Sequence, residues 1–290
     1  MQRKCCAVWA VITLGTTLLC SVPTRAADQP ETGWTDKAEL GLVATGGNTE
    51  TTTFSFQNTL KRTWATSAFT LKTAGLRAEQ KDVTSFYAYG SPTTFDTIKK
   101  KQTRKTAEAY ALEGRYDHDI TKSFFWFAQA GWDRNRFAGI ENRYQAVGGV
   151  GNIWFDTDDV KFRTDYGASY TDQEDVVEDP MKDGKYFGAR FSWDYENKLT
   201  TTTTYKNELS ANANLETSSD WRAMMLNAVS VSINSRLALK VSYTVNYENE
   251  PASEDVPLYD TVTQDNLIGT VPVPLDEFDT VLAVSLVVNF

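Results

Sequence analysis

In the stretch Phe278-Asp279-Thr280-Val281-Leu282-Ala283-Val284-Ser285-Leu286-Val287-Val288-Asn289-Phe290, alternate residues belong to different surfaces. Phe278, Thr280, Leu282, Val284, Leu286, Val288 and Phe290 fall on one face; Asp279, Ala283, Ser285 and Asn289 fall on the other. A period of two over this length specifies an extended strand with one apolar and one polar side. The pattern recurs upstream. Leu237, Leu239, Val241, Tyr243, Val245 and Tyr247 oppose Ala238, Lys240, Ser242, Thr244, Asn246 and Glu248. Phe187, Ala189, Phe191, Trp193 and Tyr195 oppose Gly188, Arg190, Ser192, Asp194 and Glu196, and Val160, Phe162, Thr164, Tyr166, Ala168 and Tyr170 oppose Lys161, Arg163, Asp165, Gly167 and Ser169. Helical periodicity is sustained nowhere.

Segments of this kind are predicted at 34–47, 50–64, 67–80, 105–117, 123–134, 142–155, 160–171, 184–197, 203–214, 221–234, 237–248 and 278–290. They define an all-β chain, read as an antiparallel transmembrane barrel of about 12 strands of the outer-membrane type. Three asparagines, Asn58, Asn207 and Asn227, interrupt the apolar faces. The glycine-rich run 144–153 has no assignable face.

Alternation alone suits a soluble barrel as well as a membrane barrel, and three features separate them. Connections sort by parity: 81–104, 172–183 and 249–277 are long, whereas those near 65–66, 118–122, 156–159, 198–202 and 235–236 are short. Outer-membrane barrels have short periplasmic turns and longer external loops. Aromatics form two bands, Trp34, Trp64, Trp126, Trp154, Tyr195, Tyr205 and Phe290 at the short-turn end and Trp132, Tyr170, Tyr186, Trp221, Tyr247 and Phe278 at the other, as interfacial girdles require. Lastly, the polar faces carry Glu113, Arg115, Lys161, Arg163, Asp165, Arg190, Asp194, Glu196, Lys206, Glu208, Lys240 and Glu248. A barrel this wide could not be filled by the opposite, aromatic faces, so charge is expected inside and lipid outside.

Residues 1–26 read as a secretory signal: Arg3 and Lys4, an uncharged run from Ala7 to Val22, then small residues at Thr24 and Ala26. The run is short for a spanning helix, which needs roughly 20 residues. Residues 27–290 then form a single barrel domain. All three cysteines (Cys5, Cys6, Cys20) lie in the signal, leaving no disulfide, thiol nucleophile or cysteine metal site beyond it. Loss of Arg3, Lys4 and Arg25 shifts the net charge from −9 to −12, which argues against nucleic acid as a partner. The partners expected are outer-membrane lipid and lipopolysaccharide, with the barrel-assembly machinery during biogenesis; no cofactor is indicated.

The opening Trp34…Ala38-Glu39-Leu40-Gly41-Leu42…Thr45-Gly46-Gly47-Asn48-Thr49, followed by the Phe54/Phe56 strand, resembles the start of the family called domain of unknown function 481, whose members are described as salt-induced outer membrane proteins. The resemblance implies a barrel in the outer membrane and brings no activity or site residues. Separately, Leu286-Val287-Val288-Asn289-Phe290 is similar to the signal read by the outer-membrane assembly machinery, which would give Phe290 that role.

Candidate chemistry is sparse. His118 stands between Asp117 and Asp119, a pattern compatible with an oriented general base, or simply with a turn at the short-connection end. No GxSxG-type elbow supplies a nucleophile. Asp156-Thr157-Asp158-Asp159 lacks the glycine and closing glutamate of a calcium loop and reads as a polar turn. Lys99, Lys100, Lys101, Arg104 and Lys105 make a basic patch that could meet lipopolysaccharide phosphates or be solvated, whereas 172–183 and 249–277 are acidic. The lining charges balance, six of each sign, so cross-lumen ion pairs are expected rather than a sign-selective pore. The reading is a structural or envelope-stress barrel with a charge-balanced lumen. A small-solute channel and a lipid- or lipopolysaccharide-acting enzyme are the alternatives.

Overall fold

The computed structural model describes residues 32–45, 50–91, 94–178, 182–259 and 267–290. The expected signal at 1–26 and residues 46–49 lie outside them. Along the chain run β1 (Gly33–Thr45), β2 (Glu50–Thr63), β3 (Ser67–Ser91), β4 (Thr94–Asp119), β5 (Phe124–Asn135), β6 (Ile140–Asp156), β7 (Val160–Asp175) and β8 (Lys185–Lys198). Then follow β9 (Thr203–Asn214), β10 (Trp221–Ser232), β11 (Leu237–Glu248), β12 (Ser253–Tyr259), β13 (Leu267–Pro274) and β14 (Phe278–Asn289). Twelve of these close into one barrel, each antiparallel to its neighbours. Strand β14 lies between β11 and β1, with Leu40 opposite Leu286 and Lys37 opposite Asn289 at the seam. β12 and β13 form a separate two-stranded sheet.

The expected strands all exist, and two expected loops contain further β-structure. Residues 81–104 are not an irregular loop: β3 and β4 continue their ladder out to Ser91 opposite Thr94. β2 accompanies β3 only as far as Lys81, and β5 accompanies β4 from Ala109 onward, so the rest is a two-stranded ribbon standing beyond the barrel. The 249–277 connection likewise holds the β12–β13 hairpin.

The sidedness is that of a membrane barrel. Leu42 and Leu282 are 70% and 73% exposed, and Leu40, Leu239, Val241, Tyr243, Val284 and Leu286 are also open on the outer surface. Lys206 and Lys240, by contrast, are only 2% exposed on the inner one. Apolar residues outside and ammonium groups inside invert the arrangement of a soluble protein and fit a hydrocarbon surround. Trp34, Trp64, Trp126, Trp154 and Phe290 are exposed near the short-turn end. Tyr170, Trp221 and Phe278 are exposed near the long-loop end, where Trp221, Tyr247 and Phe278 form a ring ladder at 4.6 and 4.8 Å. Tyr186 departs from the predicted girdle. It is buried and points inward, and its neighbour Phe187 takes the exposed place.

The three outward asparagines are satisfied within the sheet. Asn58 donates to Asp36 Oδ1 at 2.6 Å. Asn207 accepts from Trp193 Nε1 at 2.7 Å and donates to Asn227 Oδ1 at 3.0 Å, and the Tyr205 hydroxyl donates to the same oxygen at 2.8 Å. In hydrocarbon such groups must find partners inside the protein.

At the long-loop end the connections hold one another. A single 3-10 turn, Arg136–Ala138, ends at Gly139 in the left-handed region (φ 76°). A side chain there would meet both that backbone restriction and the Cβ of Ala252. Val176 N donates to Gly139 O at 2.8 Å, Leu275 N to Ala252 O at 2.9 Å, and Lys182 Nζ to Glu250 O at 2.8 Å. Ile140 and Ala252 are buried beneath these contacts.

Candidate functional site in the barrel lumen

The pleat places one set of side chains in the lumen, and the register assigns their heights. In the half nearest the short turns, charges pair densely. Arg115 on β4 reaches Asp117 at 2.7 Å on its own strand and Asp165 of β7 at 2.8 Å, three strands away. Lys206 on β9 contacts Asp194 of β8 at 3.2 Å and Glu208 at 2.6 Å. Lys240 on β11 reaches Glu39 of β1 at 2.9 Å, and Lys37 approaches the same carboxylate at 3.4 Å. Higher up, Lys72 pairs with Glu113 at 2.7 Å, and Gln129 donates to the other Glu113 oxygen at 2.7 Å. Each ion is taken from water, and removing one partner of such a pair is costly.

Aromatic rings fill part of the same space. Phe125 and Phe127 of β5 are 2% exposed and point inward with Val147, while Trp126 between them faces out. The Arg115 guanidinium lies over Phe127 at 4.1 Å and that of Arg163 over Phe125 at 5.8 Å. The rings explain the glycine-rich run whose face the sequence leaves open. Gly149 and Gly151 lie inward, opposite Phe127 and Phe125. A Cβ on Gly149 would stand 2.9 Å from Phe127 and would also strike the Tyr166 carbonyl. Gly148 faces out, with nothing within 4 Å of its would-be Cβ.

The remaining predicted lining residues sort as follows. Arg163 stands directly opposite Asp194 in the β7–β8 ladder, and Lys161 opposite Glu196. Pairing of Arg190 with Asp165 or Asp194 does not occur. Arg190 is opposite Gly167, and its Nη1 donates to Gln145 Oε1 at 3.1 Å, because Asp165 is engaged by Arg115 and Asp194 by Lys206. The half nearest the long loops differs in kind. Arg143 pairs with Asp133 at 2.9 Å and faces Glu248 of β11 at 3.5 Å across the lumen. Arg222 of β10 donates to the Tyr186 hydroxyl at 2.8 Å. Lys37, Lys72, Asp117, Arg143 and Arg222 were missed as lining residues. All five lie on segments already read as strands, on the face opposite the apolar residues of the same segment, so alternation within each strand marks them as lumen-facing.

His118 is not in a turn. It is the penultimate residue of β4, its ring 5.8 Å from that of Trp126 on the outer surface, whereas Asp117 points inward to Arg115. Alternation therefore separates the imidazole from that carboxylate. Asp156–Asp159 closes as a tight turn: Thr157 N donates to Val160 O at 2.9 Å, and the Thr157 hydroxyl accepts from Val160 N at 3.0 Å. The side chains of Lys99, Lys100, Lys101, Arg104 and Lys105 lie outside the described residues. Phe290 is exposed, and its N–H donates to Asp36 O at 2.9 Å.

Comparison with known proteins gives relatives without assigned roles. The uncharacterised protein YdiY of Escherichia coli (strain K12) is 26% identical over 152 residues, covering 51% of this chain and 56% of that protein, so the match spans little more than half of the relative. Among solved structures, the NanC porin is 10% identical with a TM-score of 0.43, covering 89% of this chain and 100% of that one. The translocator domain of the autotransporter NalP from Neisseria meningitidis is 9% identical with a TM-score of 0.41, covering 91% and 90%. At these values neither adds to what the strand order establishes. The sequence match is more informative: the model of the family "Protein of unknown function, DUF481" spans residues 38–290, and the chain belongs to that family.

Proposed function

We infer that this outer-membrane barrel is a structural component of a Gram-negative envelope, its lumen closed by its own side chains, serving the membrane under salt or osmotic stress rather than conducting solutes freely. The observation that carries the reading is the ion-paired lower lumen, where Arg115, Asp165, Lys206, Asp194, Lys240 and Glu39 reach each other from different strands around inward-facing Phe125 and Phe127. In this orientation the short turns face the periplasm and the long loops face outward. The exposed apolar belt meets lipid, and the outer loops meet lipopolysaccharide. No catalytic role is proposed, since His118 and Asp117 project from opposite faces of β4.

Conductance in planar bilayers tests this. The wild-type barrel is expected to remain near baseline. Arg143→Ala with Glu248→Ala removes the bridge under the outer loops, and on this reading adds little current because the lower half stays filled. Steady wild-type current with ion selectivity would sink the structural reading in favour of a channel. A deletion strain at raised salt tests the stress role: unaltered growth and envelope permeability would count against it.

A further inference from the structure

The two halves of the lumen are built differently. Arg190 and Arg222 occupy equivalent positions on β8 and β10, both directly opposite Asn212 of the intervening β9. Neither has a carboxylate within salt-bridge distance among the described residues. Arg190 donates to the Gln145 amide oxygen, and Arg222 donates to the Tyr186 hydroxyl. The nearby acids are committed elsewhere: Asp165 to Arg115, Glu113 to Lys72, and Glu248, opposite Arg222 in the ladder, to Arg143. Gln145 also reaches from β6 toward Asn212 Oδ1 at 3.5 Å. Two guanidinium groups thus flank one asparagine row inside a barrel, each held by a neutral acceptor, and both keep partial access to the lumen.

An arginine withdrawn from bulk water without a counter-charge is unfavourable, and its planar fork of donors matches a two-oxygen acceptor. Elsewhere in this lumen the strands supply the carboxylate. We propose that Arg190 and Arg222, with Asn212 and Gln145, form a binding site for a small free oxyanion, a carboxylate or phosphate solute that enters beneath the Arg143–Glu248 bridge. The site does not depend on through-conduction: an anion can occupy the outer half whether or not the lower half passes current.

Thermal unfolding of the detergent-solubilised full barrel tests the site, with succinate and inorganic phosphate as probes and sodium chloride at equal ionic strength as control. A saturable rise of at least about 3 °C with either probe and not with chloride is expected. It should disappear in Arg190→Gln and Arg222→Gln and persist in Arg77→Gln, whose side chain pairs with Glu79 away from the lumen. Arg190→Lys keeps the charge and loses the fork, so it should fold and bind about tenfold more weakly. Equal stabilisation by chloride, or an unchanged response in Arg190→Gln with Arg222→Gln, overturns the proposal. So does stabilisation by lipid A phosphates in mixed micelles but by neither free anion, because that would make the ligand a lipid headgroup.

Discussion

Arg115 on β4 and Asp165 on β7 meet at 2.8 Å with two strands between them, so the contact follows a chord of the barrel and not its wall. Asp117 holds the opposite edge of the same guanidinium, and Phe127 lies beneath it. Arg115→Ala would leave two carboxylates facing each other in a confined interior, with an expected loss of about 3–5 kcal/mol in urea unfolding from detergent. Replacing the group together, as Arg115→Met with Asp117→Leu and Asp165→Leu, should recover most of that loss. A single-variant loss under about 1 kcal/mol would mean that water screens the cluster, and that the lower lumen is wet.

Adjacent glycines on β6 make a sharper comparison. Gly149→Ala pushes a methyl against the Phe127 ring and the Tyr166 carbonyl, both firmly placed, and should cost about 1–3 kcal/mol. Gly148→Ala faces open surroundings on the outer surface and should be neutral or slightly stabilising, by up to about 1 kcal/mol. Similar midpoints of heat modifiability on gels for the two variants would show that the rings do not occupy the inner face as described.

On the outer surface, Asn207 is the hub of a small polar network in an apolar belt. Asn207→Leu raises local hydrophobicity but strands the Trp193 indole N–H and one partner of Asn227. A loss of about 1–3 kcal/mol is therefore expected, against the usual benefit of an apolar substitution facing lipid. Adding Asn227→Leu, Trp193→Phe and Tyr205→Phe removes the orphaned groups and should restore stability. A stabilising Asn207→Leu variant would show that the network contributes nothing.

The strand content was legible because a membrane barrel exposes one face to lipid and the other to its lumen, forcing a period of two on β7, β8, β11 and β14. The same physics hid the rest. The alternation lapses in residues 81–104, while the β3–β4 ladder continues through them with register shifts after Ala78 and Val83. Glycine has no side chain to declare a face, so β6 could be oriented only through Phe125 and Phe127 on the strand beside it. The lining charges were recognisable by parity, but their partners were not. Partnership across a lumen depends on how far each strand is staggered, and alternation carries no information on stagger. Hence the lining charges are expected to form ion pairs as a set, whereas the structure gives Arg190 the neutral Gln145.

The β3–β4 ribbon has a consequence of its own. Closing the barrel leaves none of its twelve strands with an unpaired edge, and so nothing on which another chain could build. Past Lys81 the ribbon loses both flanking strands, and for about ten residues, roughly 30 Å at 3.3 Å per residue, its outer rows of N–H and C=O groups have no strand beside them among the described residues. Such a row is a template: an extended segment of another protein can be added to it as a further strand, through main-chain hydrogen bonds alone. A molecule sealed to its neighbours within the bilayer is thus open to them above it.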